Sequence, residues 1–256
     1  MGSFSPRPAT VGWFDITASD PAHTKQFYQE VFSWEFTPMG DDYHTITAPG
    51  AAAAMGALRR GDRDALWIDV VCTDLATTIP RLESLGAKVI EPTGETPAGA
   101  RTAVVADTRG NRLGLYEPAS TGEADTTAAA AVPNATAWFE IGTLDFAATR
   151  QFYEQAFGWT YERDEAAEGA VYYSISAPGA AEPIGGTMDL SALPDAAEYA
   201  IPGLLVTDVS ALLERVERAG GHRVMDPFAD SHGLVIAQFT DPFGNRWTCF
   251  AQPAAG

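Results

Sequence analysis

The alternation of apolar and polar residues near the start of the chain predicts a β-strand followed by a helix. Residues 13–17 alternate and are rich in types that favour strands. Asp20 then stands directly before Pro21, which fits a helix N-cap followed by proline at the first helical position. The apolar residues after it recur at helical spacing and predict one buried face, formed by Phe27, Tyr28, Val31 and Phe32.

Further strand-like runs complete this unit and begin a second one. Three runs follow the helix, at 34–37, 43–47 and 55–58, so the predicted order is β-α-β-β-β. The second unit repeats that order, starting with a strand at 66–72 and a helix at 75–85. Its remaining strands are predicted near Val89, at 103–105 and at 113–116.

The second half of the chain repeats the first. Residues 13–20 (WFDITASD) recur as residues 138–145 (WFEIGTLD), and a fainter version lies at 67–74. The other matched pairs are 26–34 with 151–159, 43–50 with 172–179, and 107–112 with 241–246. The capping position of Asp20 is occupied again by Asp74, Asp145 and Asp208. The chain is therefore four versions of one supersecondary unit.

This repetition predicts an α+β fold of tandem βαβββ modules, four in total and two per domain. The first domain is predicted at residues 1–118 and the second at residues 135–256. Residues 119–134 between them are rich in Ala and Thr and bounded by proline, which is typical of a linker. A length of 256 residues agrees with two domains.

The charge balance narrows the choice of partners. The formal net charge is −18, from 34 acidic and 16 basic residues. Such a chain repels phosphate backbones and anionic lipids, so we expect no nucleic-acid partner and no membrane partner. A neutral or cationic small molecule is favoured instead, although an acidic surface also serves solubility alone.

Cysteine usage and the N-terminus point to the cytoplasm. Cys72 and Cys249 both lie in apolar, strand-like runs and are expected to be buried free thiols. Residues 1–8 contain no basic segment followed by an apolar run, so they do not have the pattern of a signal peptide. The apolar stretches are far below the roughly 20 residues that span a bilayer.

The repeated motifs resemble the vicinal oxygen chelate superfamily, which includes glyoxalases, bleomycin resistance proteins and dioxygenases. A strand, an Asp, a helix with Phe-Tyr and an aromatic-Ser/Gly-Trp turn are similar to its opening, and residues 26–34 and 151–159 carry that match. Residues 241–246 resemble its last hairpin, and 107–112 do so more weakly. The chain also resembles two-domain actinobacterial members often labelled putative glyoxalase or hydroxylase. The resemblance implies that two units form a curved mixed sheet around a cavity.

The resemblance also implies where metal ligands would lie, on the first and last strands of each unit. Those positions are held here by Trp13, about Trp67, Gly114 and a residue near Gly56 in one half, and by Trp138, about Ile201, Thr248 and a residue near Gly185 in the other. A divalent metal needs three or four His, Cys or carboxylate ligands at fixed reach. We therefore predict no metal site and no cofactor, which disfavours the isomerase and extradiol dioxygenase reactions. The four histidines, His23, His44, His222 and His232, are expected at surface, middle-strand or loop positions.

Side-chain alternation along the strands predicts the cavity lining. If Phe14 and Ile16 face the helices, the residues between them face the cavity. The predicted ligand-binding residues are Trp13, Trp67, Arg112, Tyr116, Trp138, Glu140, Arg246 and Phe250. Asp15 and Asp69 are the candidate catalytic residues, either as a carboxylate pair that shares a proton or as partners of Arg112 in salt bridges. The tryptophans either line an open pocket or fill it.

Three functions remain open at this stage. The first is metal-independent binding of a small organic molecule in an aromatic and acidic cavity. The second is an enzyme: a metal-free lyase, isomerase or hydroxylase-like catalyst using Asp15, Asp69 or Glu140, or a glyoxalase-like enzyme with displaced metal ligands. The third is a non-catalytic interaction protein with closed cavities.

The tandem arrangement predicts a monomer whose halves pair within one chain, because the linker keeps them at high effective concentration. The helices that carry Phe27-Tyr28 and Phe152-Tyr153 are expected to bury within their own half. The contact between halves is then expected to be the more polar, domain-like kind.

Overall fold

The elements follow the predicted β-α-β-β-β order four times in the computed structural model, which describes residues 7–119, 132–167, 169–193 and 195–253. Most of the linker predicted at 119–134 lies outside the described residues. The first half contains β1 (Val11–Ala18), α1 (Pro21–Phe32), β2 (Glu35–Pro38), β3 (Tyr43–Thr47), β4 (Gly56–Arg60), β5 (Ala65–Val71), α2 (Leu75–Ser84), β6 (Lys88–Glu95), β7 (Arg101–Ala106) and β8 (Arg112–Glu117). The second half contains β9 (Thr136–Thr143), α3 (Phe146–Phe157), β10 (Thr160–Arg163), β11 (Val171–Ser176), β12 (Gly185–Asp189), β13 (Tyr199–Leu205), α4 (Val209–Arg218), β14 (His222–Ala229), β15 (Val235–Thr240) and β16 (Arg246–Ala251).

Each of these helices begins behind an aspartate, as predicted. The Asp20 carboxylate accepts hydrogen bonds from the backbone N–H groups of Ala22 and His23, and Asp74, Asp145 and Asp208 cap their helices in the same way. Such a cap satisfies backbone donors that the helix leaves open, and losing one costs about 1 kcal/mol. The aspartates shared by the four units are therefore structural.

Two helices end in a left-handed residue that turns the chain towards the next strand. Ser33 after α1 has φ 57°, and Gly158 after α3 has φ 71°. Glycine adopts this conformation without strain, whereas serine does so at a cost. The turn brings Trp34 and Trp159 back onto their helices, where each stacks on the helix tyrosine.

Each half forms one eight-stranded curved mixed sheet. The strand orders are β2-β3-β4-β1-β5-β8-β7-β6 and β10-β11-β12-β9-β13-β16-β15-β14. At the centre of the first sheet, β1 is antiparallel to β5 and parallel to β4, while β5 is parallel to β8. The predicted α+β fold of tandem βαβββ modules is confirmed. The exact domain boundaries, 1–118 and 135–256, stay a prediction.

The two large hydrophobic cores lie between the halves, so the expectation that the helices with Phe27-Tyr28 and Phe152-Tyr153 bury within their own half is wrong. One core joins Phe14 and Phe27 of the first half to Leu212 and Trp247 of the second. The other joins β5, β8 and α2 to Phe152, Tyr153 and the rest of α3. The backs of the sheets are broad and apolar, and one helix per module does not cover them, so each half buries the other. The contact between halves is consequently apolar rather than domain-like.

The repeated motifs meet each other across these cores. The Tyr28 hydroxyl donates to Asp241 Oδ2 at 2.7 Å, and the Tyr153 hydroxyl donates to Asp107 Oδ2 at 2.8 Å. The other oxygen of each aspartate accepts two backbone N–H groups of its own hairpin. The Phe-Tyr motif of one half and the Asp-x-x-Gly-Asn hairpin of the other are therefore hydrogen-bonding partners. Burying one partner without the other would cost about 1–3 kcal/mol.

Other sequence expectations agree with the fold. Cys72 and Cys249 are free and buried, as predicted. Over the described ranges, no helix has the length and apolar character that crossing a membrane requires.

Candidate functional site

The face of the first sheet that points away from the core carries the predicted aromatic and acidic residues. In the antiparallel pairing of β1 with β5, Asp15 lies opposite Trp67 and Trp13 lies opposite Asp69. The two aspartates are therefore diagonal neighbours on one face, close enough for their side chains to interact. Trp13 and Asp15 are two residues apart on β1, as are Trp67 and Asp69 on β5, and alternate residues of a strand share a face.

Asp15 and Asp69 form a buried carboxyl pair. Their exposed fractions are 8% and 1%, and each carboxyl group affects the pKa of the other. Burial raises the pKa of Asp15 to about 6, against the lowering effect of the nearby Arg59 guanidinium. Burial, and then the charge of Asp15, raise the pKa of Asp69 well above its usual range. Burial therefore favours a protonated carboxyl group in this pair.

Gly114 makes room for this pair. It is the register partner of Asp69 in the parallel pairing of β5 with β8. A Cβ atom at residue 114 would lie 1.8 Å from Asp69 Oδ1 and 2.9 Å from Trp67 Cδ1. The place where the resemblance puts a terminal carboxylate ligand is thus filled by the side chain of the neighbouring strand.

A cavity of about 210 Å³ opens beside the pair. Its lining is Asp15, Tyr43, Arg59, Trp67, Asp69, Glu91, Pro92, Gly94, Glu95, Thr96, Pro97, Thr102, Ala103 and Val104. Arg59 is held by Glu91 at 2.6 Å, and its guanidinium carbon lies 5.1 Å from the Trp67 ring centroid. The cavity therefore combines a carboxyl pair, a cation and aromatic surface.

Two polar atoms of this site lack a hydrogen-bond partner among the described residues. They are Trp67 Nε1, a donor, and Asp69 Oδ2. Buried polar atoms are almost always paired, because leaving one unpaired costs free energy. Both atoms are buried in the wall of the cavity.

Sequence reasoning missed three of the polar residues in this cavity: Arg59, Tyr43 and Glu91. For Arg59, the error lay in which residues of β4 were expected to face the cavity. Gly56 and Gly185 were placed near the cavity, but a Cβ on either would meet the core ring of Phe14 or Phe139 at 2.6 Å or less. The cavity-facing residue is therefore Arg59, which pairs with Thr17. Alternation applied to the middle strands from the correct starting residue would have found it.

The other predicted residues of the first half surround the pair at a greater distance. Trp13 and Tyr116 stack on each other, with ring centroids 6.2 Å apart. The Arg112 guanidinium carbon lies 6.0 Å from the Trp67 ring, and no ion pair joins it to Asp15 or Asp69. The proposed salt bridge to Arg112 is therefore not formed, and Arg59 is the cation beside Asp15.

The corresponding face of the second half is filled. The Tyr199 ring lies across Gly142, where a Cβ would come within 2.2 Å of it, and its hydroxyl donates to Glu140 Oε1 at 2.5 Å. Gln238 Nε2 donates to the same oxygen at 2.7 Å, and Arg246 Nε donates to Gln238 Oε1 at 3.0 Å. The Arg246 guanidinium lies 4.0 Å above the Tyr199 ring. Burial raises the pKa of Glu140, although these hydrogen bonds oppose the shift.

Trp138 and Phe250 lie at the rim of the filled face. Trp138 Nε1 donates to the Tyr172 hydroxyl at 2.9 Å, and Trp138 borders an open groove of about 560 Å³. Residues 162–166, at the end of β10 and in the loop after it, form much of the groove lining, which does not include Glu140. Phe250 pairs with Leu205 and Ile236 near the end of β16. The structure brings neither residue together with the first-half cavity.

The donor set does not fit the metal that the fold suggests. Trp13, Trp67 and Gly114 supply no ligand atom, and Arg59 places a positive charge beside the carboxyl pair. Within the part of the chain that the structure describes, no three His, Cys, Asp or Glu side chains converge to hold a metal. The histidines are also separate: His23 lies at the edge of Phe243, and His44 contacts Lys25.

Solved structures with this fold include metalloenzymes. The Mn(II)-bound glyoxalase from Novosphingobium aromaticivorans is similar with a TM-score of 0.66 and 15% identity, covering 96% of this chain and 83% of that one. The 2,3-dioxygenase LapB from Pseudomonas sp. KL28 is similar with a TM-score of 0.60 and 16% identity, covering 96% of this chain and 93% of that one. At such identities the likeness establishes the fold alone.

Sequence comparison establishes the family. Residues 13–116 match the family described as glyoxalase-like domain, and residues 135–248 match the glyoxalase/bleomycin resistance protein/dioxygenase superfamily. The anthracycline biosynthesis protein DnrV of Streptomyces peucetius is 35% identical in an alignment 260 positions long, gaps included, which covers 93% of this chain and 91% of that protein. The chain therefore belongs to the glyoxalase/bleomycin resistance protein/dioxygenase superfamily, with two of its domains in tandem.

Proposed function

We propose that this chain binds a small aromatic molecule in the cavity of its first half. The observation that carries the proposal is the buried Asp15–Asp69 pair, which faces a cavity and leaves Asp69 Oδ2 without a partner. A ligand that donates a hydrogen bond, or accepts one from a protonated carboxyl group of the pair, would satisfy that oxygen.

Size and lining support an aromatic ligand. A volume of about 210 Å³ exceeds the roughly 150 Å³ of a cavity that takes benzene, so one or two fused rings would fit. Trp67 and Tyr43 are the aromatic residues of the lining, and aromatic side chains pair well with other rings. The relative DnrV is named for anthracycline biosynthesis, which also favours a ligand of the aromatic polyketide type.

In this proposal the second half is a scaffold and does not bind the ligand. Its equivalent face is packed with Tyr199, Glu140, Gln238 and Arg246, whose polar atoms pair with each other. If the chain were an interaction protein with closed cavities, both halves would be expected to be packed like the second half. The open cavity of the first half favours binding instead.

The proposed partner is one small molecule, and no nucleic acid or membrane. The net charge of −18 supports this choice. The two-half core supports a monomer that pairs its own domains, and sedimentation should then find a single species near the chain mass of 27.2 kDa. A cytoplasmic location stays an expectation based on the two free thiols.

Fluorescence titration tests the proposal. Small ring compounds that are neutral, cationic or anionic would be titrated against the protein, with quenching of tryptophan emission as the signal. Trp13→Ala should weaken binding about tenfold, because Trp13 lies opposite Asp69 on the face that carries the cavity and its loss loosens the packing there. Trp138→Ala is the matched control in the second half and should leave the affinity unchanged. Equal affinity of the native protein and a folded Trp13→Ala variant would contradict the proposed site.

A further inference from the structure

The ion pair between Arg59 and Glu91 joins opposite arms of the first sheet. Arg59 lies on β4 and Glu91 on β6, and β1, β5, β8 and β7 lie between these two strands in the sheet order. The contact of 2.6 Å between Arg59 Nη2 and Glu91 Oε2 therefore crosses the concave face. Both side chains line the cavity and are 31% and 37% exposed, whereas Trp67 and Asp69 in the same lining are 1% exposed. The ion pair thus lies on the solvent side of the cavity.

The strand that carries Glu91 is an exposed edge strand. Its pairing with β7 is interrupted on both sides of Glu91, and residues 91–97 include Pro92 and Pro97, which cannot donate to a ladder. Residues 91–97 nevertheless supply much of the cavity lining. Among the described residues, the bond from Arg59 to Glu91 is the one hydrogen bond that ties this segment to a strand other than β7. Such exposed and sparsely bonded segments open locally at low cost.

The ion pair also covers the aromatic wall of the cavity. The Arg59 guanidinium carbon lies 5.1 Å from the centroid of the Trp67 ring, in the arrangement by which guanidinium groups are attracted to indole faces. Arg112 lies 6.0 Å from the same ring but does not line the cavity. Because Trp67 is almost fully buried, a planar ligand can stack on its cavity side only after Arg59 moves.

The second half has no such ion pair, although its strands have the same order. By strand register, Met188 and Met225 take the places of Arg59 and Glu91. Two methionines carry no charge and cannot form an ion pair. The face beside them is filled by the Tyr199 ring, which leaves no room for a ligand. The ion pair and the open cavity therefore occur in the same half.

From these contacts we propose that Arg59 and Glu91 form a latch over the first-half cavity. A ligand enters when the ion pair parts and residues 91–97 move away from β4. This inference rests on the proposed binding function and adds what controls access to the cavity. A partly exposed ion pair stabilises only weakly and is screened by salt, which suits a contact that opens and closes. Closure of the latch over a bound ligand slows its release.

Amide hydrogen exchange tests the latch without any ligand. Mass spectrometry of the full chain would follow the peptide that covers residues 91–100 in the native protein, in Glu91→Ala and in Arg59→Met. Either variant should exchange this peptide about fivefold faster than the native protein at low salt, because the segment loses its tie to β4. In about 1 M salt, where charges are screened beyond about 3 Å, the native rate should approach that of the variants.

A matched control removes an ion pair from the equivalent edge strand of the second half. Glu217→Ala breaks the ion pair of Glu217 with Arg223 on β14, and it should leave the exchange of residues 91–100 at the native rate. Circular dichroism checks that each variant is folded. An unchanged exchange rate in folded Glu91→Ala and Arg59→Met overturns the latch.

Stopped-flow fluorescence tests access to the cavity. The probe is 2-naphthol, a neutral two-ring compound, with quenching of tryptophan emission as the signal. Glu91→Ala should bind it about fivefold faster than the native protein at low salt, and added salt should raise the association rate of the native protein alone. Faster amide exchange with an unchanged association rate overturns the role of the ion pair in access and leaves binding in the cavity standing. Absence of binding in every form overturns the proposed binding function and the role in access, while the exchange result still decides whether the ion pair holds residues 91–97.

Discussion

The concave faces of the two halves differ in which of two paired strands carries a glycine and which carries the side chain that lies over it. In the first half, a side chain on β5, Asp69, lies over a glycine on β8, Gly114. In the second half, the side chain is on β16, Thr248, and the glycine is on β13, Gly203. Exchanging which strand carries the glycine decides whether a carboxyl group points into the cavity.

The rest of each face follows from this exchange. The first half keeps Ala65 where the second has Tyr199, so a ring fills the second face and leaves the first open. Arg59 of the first half corresponds to Met188 of the second, where the cation near the acidic residue is instead Arg246 on β16. Two sheets with the same strand order therefore provide one candidate site and one packed support.

The largest effect is expected from separating the two halves, because they share their hydrophobic cores. Residues 1–118 and 135–256 expressed separately should each fail to fold, because both cores contain residues from both halves. Mixing the fragments, or cutting the chain near Thr126, should give an associated and folded pair. Circular dichroism and gel filtration measure this. A fragment that unfolds cooperatively on its own would show that the cores are separable.

The exchange of glycine positions can be tested by a double variant. Gly114→Thr alone should destabilise the protein by about 2–3 kcal/mol, because the new side chain collides with Asp69. Adding Asp69→Gly reproduces the arrangement of the second half and should restore most of that loss. Urea unfolding measures both variants. If the double variant is no more stable than Gly114→Thr, the two positions do not complement each other.

The pH dependence of stability should differ between the two faces. Burial raises the folded-state pKa of Asp15 to about 6 from 3.8, and raises that of Asp69 well above its usual range. The folded state then binds protons more tightly than the unfolded state. The pair's contribution is favourable at low pH and is lost as the pH rises from about 4 through 6 and above.

The change in the free energy of unfolding caused by Asp69→Asn should therefore depend on pH. It should be more favourable at about pH 8 than at about pH 4, by about 1–3 kcal/mol. Glu140→Gln in the second half should show a smaller change with pH, because Tyr199 and Gln238 already stabilise the charged form. Thermal unfolding over a pH series measures both. A stabilisation by Asp69→Asn that does not vary with pH would mean that burial does not favour a protonated carboxyl group in the pair.

The smallest expected effect is that of a chelator. The positions at which the family resemblance implies metal ligands hold tryptophan, glycine, isoleucine and threonine, so EDTA should change neither the melting temperature nor ligand binding. Elemental analysis of the dialysed protein should find no stoichiometric transition metal. One zinc, iron or nickel per half, lost on substituting His44 or His232, would contradict this prediction.

Much of the site could be predicted from the sequence, because strand alternation is a local property. Trp13, Asp15, Trp67 and Asp69 lie at even spacings on two strands whose ends are marked by capping aspartates, so their common face follows from the pattern. Arg59 could not be placed in this way, because β4 is short and bounded by glycine and alanine. A shift of one residue in its register reverses which side chains face the cavity.

The sequence by itself determined the four modules and their caps, because each depends on a few neighbouring residues. Only the tertiary structure decided that the cores lie between the halves, since the apolar stripe of a helix does not specify which sheet will cover it. The tertiary structure likewise decided that Asp15 and Asp69 share a cavity with Arg59 and that Tyr199 fills the other half. Those outcomes depend on side chains brought together from distant strands, and on whether the residue opposite each one is a glycine.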